Sequence, residues 1–392
     1  TRWVDFFKEQ LKDKINTQDT IWDILGTSIN NLSVLPSMRS VMTAGEALKR
    51  THVAAYNCSY LPVDNKRCFD EAMYILFCGT GVGFSCEKQY VDKLPTVPSL
   101  EESDKIITVE DSKEGWCEAY KLLISRLYAG TIPKWDVSLV RPAGAPLKTF
   151  GGRASGPGPL IDLFQYTVDK FKMAKGRKLR PLEAHDIMCK IGEVVVVGGV
   201  RRSAMISLSN LSDDRMRHAK SGSWWESNPQ RALANNSVSY TEKPDSLSFM
   251  REWMSLVESG SGERGIFNRQ ASKVQALKNG RRDTNYEFGT NPCSEIILRP
   301  SQFCNLTEVV VRATDNIDTL SEKVRLATIL GTIQSTMIKF PYLRKVWQKN
   351  TEEERLLGVS LTGIMDNVLL SGKSPILGMN IGATLELLRE VA

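Results

Sequence analysis

Two thiols, two carboxylates and three side-chain amides crowd the stretch GTNPCSEIILRPSQFCNLTEVVV, residues 289–311. Asn291, Cys293 and Glu295 are spaced two apart. In an extended segment that spacing puts side chains on one face, so the three are expected to point the same way. Pro292 fixes its own backbone and lacks an N–H, which interrupts a regular ladder at that point. A thiol, an acid and an amide converging in an apolar neighbourhood suit a reaction needing a sulfur centre, a proton acceptor and a hydrogen-bonding guide. Two inert buried thiols at Cys293 and Cys304 would give the same local pattern, so the rest of the chain has to separate the two readings.

Other chemistries find little support. The histidines, His52, His185 and His218, are isolated in sequence. Cys68, Cys78 and Cys86 lie ten and eight residues apart, unlike the paired ligands of structural zinc, so small buried hydrophobes are expected there and no metal site. The glycines of FCGTGVGF (Gly79, Gly81, Gly83) follow an apolar helical run. A dinucleotide fingerprint needs strand, turn and helix in that order. A helix stop and a close backbone approach to a ligand both stay open. In GGVRRSA, Arg201 and Arg202 suit either a phosphate contact or a solvated strand end.

The positions of these groups depend on a chain of 392 residues, long enough for one large domain or two ordinary ones. At 42% hydrophobic it can bury a core, which excludes a disordered chain. The net charge of +6 fits an anionic nucleotide partner only weakly. No run of eighteen apolar residues exists and the N-terminal stretch has no apolar signal core, so no membrane association is expected. Eight sparse cysteines without a C-x-x-C pair point to a cytoplasmic protein rather than a disulfide scaffold. The basic run 172–181 lacks interleaved aromatics, so nucleic acid is not an expected partner.

Residues 1–30 carry helical periodicity, with Trp3, Phe6, Phe7, Leu11 and Ile15 on one face. LSVLPSMRSVMTAG reads as extended, AAYNCSYLPV as an alternating strand, and CFDEAMYILFCGTGVGFSC as a helix broken at its glycines. A helix opened by Asp111 and Ser112 ends at Gly130. Residues 320–340 read as helical, and EEERLLGVSLTGIMDNVLL as a strand leading into a helix. The run 172–181 is an exposed hinge or a solvated loop. Alternating strands and helices make the fold class α/β, with a helical segment over 1–34 and a body over 35–392 that contains the loop 289–311.

NPCSEI, followed eleven residues later by the cysteine of FCNL, resembles the finger loop of ribonucleotide reductases. YNCSY, GTGVGFS, DVSLVRPAGAPLKTFGGRASGP, VVVVGGVRRSA and RLLGVSLTGIMD resemble the same family, in the family's order. The N-P-C-x-E form is similar to the adenosylcobalamin-dependent branch, and the RPAGAPLKTFGGRASGP block to its triphosphate-reducing members. The resemblance implies a ten-stranded α/β barrel of two five-stranded parallel halves, with the finger loop inside. It implies that Cys293 carries a thiyl radical, Glu295 acts as general base, Asn291 holds the sugar, and Cys58 with Cys304 forms the reducing dithiol. It also implies substrate contacts at Ser40, Asn57 and Gly81, and an effector-reporting loop at Arg201 and Arg202. The partners it implies are a ribonucleotide substrate, a nucleotide effector and a thioredoxin-like or other dithiol reductant.

The chain ends at LELLREVA. In relatives a second half-barrel comes next, with a P-S-G-T phosphate loop and later a thiol pair. The expectation is a first half-barrel plus finger loop, completed by a second polypeptide. The alternatives are a large chain that relies on a separate radical-generating subunit, or a non-catalytic fragment or assembly subunit of a split enzyme.

Overall fold

The computed structural model describes residues 1–12, 19–146, 153–197, 204–280, 282–372 and 381–392. Among these the strands are β1 (Val34–Pro36), β2 (Cys58–Pro62), β3 (Gly81–Ser85), β4 (Glu101–Thr108), β5 (Thr131–Asp136), β6 (Met205–Asn210), β7 (Asn235–Tyr240), β8 (Gly265–Asn268), β9 (Gly289–Thr290), β10 (Ile297–Leu298), β11 (Gln302–Phe303), β12 (Leu306–Val310) and β13 (Gly358–Thr362). Contacts divide the chain into two compact units, Cys58–Gln302 and the pair of segments Thr1–Asn57 and Phe303–Ala392. The divisions between these units fall at 57/58 and 302/303. The basic run 172–181 is pinned in place. Gly176 N–H donates to Val97 C=O (2.8 Å) and Val97 N–H to Arg177 C=O (2.9 Å). Arg177 also grips Glu183 through both carboxylate oxygens (2.7 and 2.8 Å).

In the unit Cys58–Gln302, β2, β3, β6, β7 and β8 lie side by side in that order, all parallel. Parallel strands covered on both faces lose hydrophobic alternation. Accordingly β2 is buried from Ser59 to Pro62 on both faces, and the residues before it, His52–Ala55, form a 3-10 turn rather than strand. One face of the sheet is covered by helices. Every residue from Cys68 to Phe77 in helix Arg67–Phe77 is buried, and helix Pro181–Val197 buries most of its length. Helix Arg67–Phe77 ends before the glycines. Gly79, at φ +80°, turns the chain, and Gly81 and Gly83 sit inside β3. The sequence expectation of a helix broken at these glycines is thus corrected: Gly81 and Gly83 are strand residues, kept small because Pro292 and Thr290 pack directly on them.

Between β3 and helix Gly158–Met173, β4 and β5 pair in parallel beside helix Lys113–Tyr128. That helix starts as expected, with Ser112 Oγ accepting from Gly115 N–H (2.9 Å). Gly130, at φ +87°, comes just after its end.

In the other unit β1 pairs antiparallel and β13 parallel with β12. Helix Ile317–Gln334 opens with a capping box between Asn316 and Thr319. Residues 1–30 fold as helices Arg2–Leu11 and Asp19–Asn30. Trp3, Phe6, Phe7 and Leu11 are buried as expected, while Ile15 lies outside the described residues. Only three residues of LSVLPSMRSVMTAG are strand, and Met38–Thr43 is helical. The strand in GVSLT is β13, but it leads into a single 3-10 turn, Ile364–Asp366, after Gly363 at φ +80°, rather than into a longer helix. No helix of the described residues is long and apolar enough to cross a membrane.

Candidate functional site

Strand register places the first elements of the site. Cys58 pairs with Gly81, and Tyr60 with Gly83. Paired residues and residues two apart share a face, so Cys58, Tyr60, Gly81 and Gly83 all look away from the helix layer that holds His185. A short hairpin lies over them. β9 pairs antiparallel with β10, Thr290 opposite Ile297 and Gly289 opposite Leu298.

The three glycines are there because the hairpin touches the sheet. A Cβ on Gly289 would fall 2.0–2.4 Å from atoms of the Tyr60 ring. One on Gly83 would lie 1.8 Å from Thr290 C=O, and one on Gly81 2.9 Å from Pro292 Cγ. The hairpin therefore runs against the direction of β2 and β3, and its turn comes down at the level of Cys58.

The turn is not extended, which corrects the expectation that Asn291, Cys293 and Glu295 form one row. Ser294 N–H donates to Asn291 C=O (3.0 Å), and Ser294 itself has φ +65°. Asn291 is turned inward and fully buried. Its Oδ1 accepts from Ile296 N–H (3.0 Å) and from Thr290 Oγ1 (3.3 Å), closing the turn. Its Nδ2 is buried with no hydrogen-bond acceptor among the described residues. Cys293 and Glu295 are exposed, and Cys58 is half-buried. The Cys293 thiol is raised above its ordinary pKa by burial, then by the negative charges of Glu295 and Cys58. A nucleophilic cysteine needs the reverse, a cation or helix terminus that lowers the value. Cys293 instead keeps its hydrogen at neutral pH.

The other expected residues belong to the second unit. Ser40 is fully buried and its hydroxyl is engaged. It accepts from Trp3 Nε1 (2.9 Å) and lies 2.6 Å from Gln334 Oε1 and 3.0 Å from Ser37 C=O. Asn57 Oδ1 accepts from Ser37 Oγ (3.0 Å). Cys304 is buried, and its neighbour Phe303 stacks on Tyr56 with centroids 5.2 Å apart. Asn305, the next residue, accepts from Gln334 Nε2 (2.8 Å). Arg201 and Arg202 lie outside the described residues. No group of His, Cys, Asp and Glu able to hold a metal ion occurs among the described residues.

Sequence reasoning missed Tyr60, Gln334 and the pair Arg269–Glu87. Tyr60 had a signal, two residues after Cys58 in YNCSY. Arg269 and Glu87, 182 residues apart, had none.

The model for the insertion domain of B12-dependent ribonucleotide reductases matches residues 85–170, which contain β4, β5 and helix Lys113–Tyr128. An adenosylcobalamin-dependent ribonucleoside-triphosphate reductase of Lacticaseibacillus paracasei is 31% identical over 346 residues, covering 76% of this chain and 44% of that protein. The chain belongs to the adenosylcobalamin-dependent ribonucleotide reductase family. A relative of the same description from Lactobacillus acidophilus is 29% identical over 409 residues, 86% of this chain and 53% of its own length. This reductase-family chain thus spans about half the length of the curated relatives it matches. Its fold is shared with the crystal structure of a B-12 dependent (class II) ribonucleotide reductase, at a TM-score of 0.77 over 93% of this chain and 59% of the other, with 24% identity. A class Id reductase alpha subunit from Actinobacillus ureae matches at 0.52 and 12% identity. The mixed α/β fold of the reductases is therefore the fold of this chain.

Proposed function

We propose that this chain is the N-terminal and central part of a ribonucleoside-triphosphate reductase, converting ribonucleotides to 2′-deoxyribonucleotides by radical chemistry. The observation that carries the reading is Cys293: an exposed thiol at the tip of a rigidly seated turn, with Glu295 beside it and Cys58 below, in surroundings that keep it protonated. A protonated thiol is a poor nucleophile. It does carry a hydrogen atom that it can give up and take back.

In this reading the Cys293 sulfur, as a thiyl radical, takes the ribose 3′-hydrogen. Glu295 accepts the proton of the 3′-hydroxyl, and Asn291, which closes the turn through its Oδ1, is assigned to the sugar on family resemblance alone. The 2′-hydroxyl leaves as water. Cys58 and Cys304 supply the two electrons and two protons of the reduction, one proton leaving with the 2′-hydroxyl as water and the other ending at C2′, and become a disulfide, which a thioredoxin-like or other dithiol reductant reopens. The Cys293 thiol returns its hydrogen to C3′ and is again the thiyl radical. Gly81, Ser40 and Asn57 are assigned to substrate contact and Arg201 and Arg202 to effector response, on family resemblance alone.

Adenosylcobalamin, when bound, supplies the radical equivalent. An exposed thiol that retains its hydrogen fits such a partner; no described residue is assigned to hold the corrin. The five parallel strands are read as the first half of a ten-stranded barrel. The second half comes from the remainder of the chain or from a second polypeptide, in a cytoplasmic enzyme.

The test combines the chain, together with the polypeptide that completes it, with a ribonucleoside triphosphate, adenosylcobalamin and a dithiol. Deoxynucleotide should form, and Cys293→Ala should abolish it. Full turnover by Cys293→Ala would reduce this chain to a scaffold.

A further inference from the structure

Arg269 and Glu87 face each other inside the unit Cys58–Gln302, 1% and 0% exposed in their side chains. Arg269 is the first residue after β8 and Glu87 the second after β3. Along the sheet these strands are three spacings apart, roughly 14 Å. The two terminal guanidinium nitrogens donate one to each Glu87 oxygen. Glu87 is itself held by Ser85 Oγ (2.8 Å) and Gln89 Nε2 (2.9 Å). The remaining guanidinium nitrogen, Nε, donates to Phe288 C=O at 2.7 Å. Phe288 is the last residue before the hairpin, five positions ahead of Cys293.

We propose that Arg269 is a positioning residue for Cys293, fixing the root of the finger hairpin so that its tip stays in register with Cys58. This rests on the reading of Cys293 as the reacting thiol. The glycine contacts at Gly81, Gly83 and Gly289 limit how near the hairpin can come to the sheet, but repulsion does not stop it sliding along the strands. A directional bond at the root does. With both terminal nitrogens occupied by Glu87, the guanidinium plane is set, and Nε–H can point only one way. An ammonium at the same place would be a point charge without a fixed fork.

The proposal is tested without turnover, on the whole chain. Dibromobimane bridges thiols a few ångströms apart, and peptide mapping reads the Cys58–Cys293 product. Arg269→Lys keeps the charge and removes the fork. The double variant Glu87→Met/Arg269→Met removes both buried charges together, which proteins often tolerate. In each folded variant the bridged product should form about a hundredfold more slowly, as expected for a displacement of about 1 Å. Alkylation of Cys293 should also titrate closer to an ordinary thiol. Bridging at the wild-type rate in either folded variant would overturn the role. Loss of the fold in both would make the pair a structural staple and overturn it equally. If Cys293 is not the reacting thiol, Cys293→Ala still turns over while the bridging result stands, so the two failures are distinguishable.

Discussion

Gly83 and Thr290 approach so closely that a methyl group on Gly83 would overlap the Thr290 carbonyl oxygen, 1.8 Å away. The atom in the way is backbone, in a segment held on both sides, so no rotamer relieves the clash. Gly83→Ala should lift the hairpin while leaving the helix layer on the opposite face intact. A displacement of this size at a reacting centre costs about a hundredfold in rate. We expect that loss in kcat, with far-ultraviolet circular dichroism unchanged; a kcat within twofold of wild type would mean that the hairpin seat does not govern the chemistry.

Glu295 and Cys58 are two of the causes that raise the Cys293 thiol. Neutralising one, by Glu295→Gln, should lower that thiol toward its ordinary value. Alkylation of Cys293 near neutral pH should then speed up, because more thiolate is present. Deoxynucleotide formation should fall by about two to four powers of ten, the usual share of a general base. Rates of iodoacetamide labelling against pH, read on the Cys293 peptide, give the shift directly.

Beneath the sheet, Asp186 is ringed by Arg231 (2.7 and 3.0 Å), Lys170 (3.1 Å) and His185 (3.4 Å). Burial alone would raise its pKa, but hydrogen bonds from His185 and Arg231 hold it well below the usual carboxylate range. A depressed folded value contributes stability above the unfolded pKa, and that contribution is lost as pH falls through the folded one. Resistance to urea unfolding should therefore weaken from about pH 4 downward. Asp186→Asn should cost about 3–5 kcal/mol at pH 7, since it strands buried cations, and its deficit should shrink in acid. A deficit independent of pH would contradict the assignment.

Gln334 saturates its amide within one unit. Its Oε1 accepts from Ser37 N–H (2.8 Å), and its Nε2 donates to Asn305 Oδ1 (2.8 Å) and Leu306 C=O (3.0 Å). Gln334→Leu fills similar space but orphans these buried groups. The expected loss is about 1–3 kcal/mol, measured by chemical denaturation; a neutral result would show that water replaces the amide.

The sequence carried the family and the α/β alternation, because the signatures lie in contiguous words such as NPCSEI and VVVVGGVRRSA. It also carried the cap at Ser112, which depends on neighbours three residues apart. It failed where partners are distant. β3 looked like the end of a helix because glycine is rare in strands, and its reason, Thr290 and Pro292, comes more than 200 residues later. The row of Asn291, Cys293 and Glu295 failed for a local reason. Asn291 caps its own turn and Ser294 takes a left-handed conformation, which the period-two rule does not anticipate.

The Tyr60 ring occupies the place where a side chain at position 289 would begin. Neither position can drift alone: a larger residue at 289 becomes admissible only after the ring at 60 has gone. In a library randomised at both sites, survivors should pair bulk at one with its absence at the other, a seesaw of volume between two segments that sequence order keeps 229 residues apart.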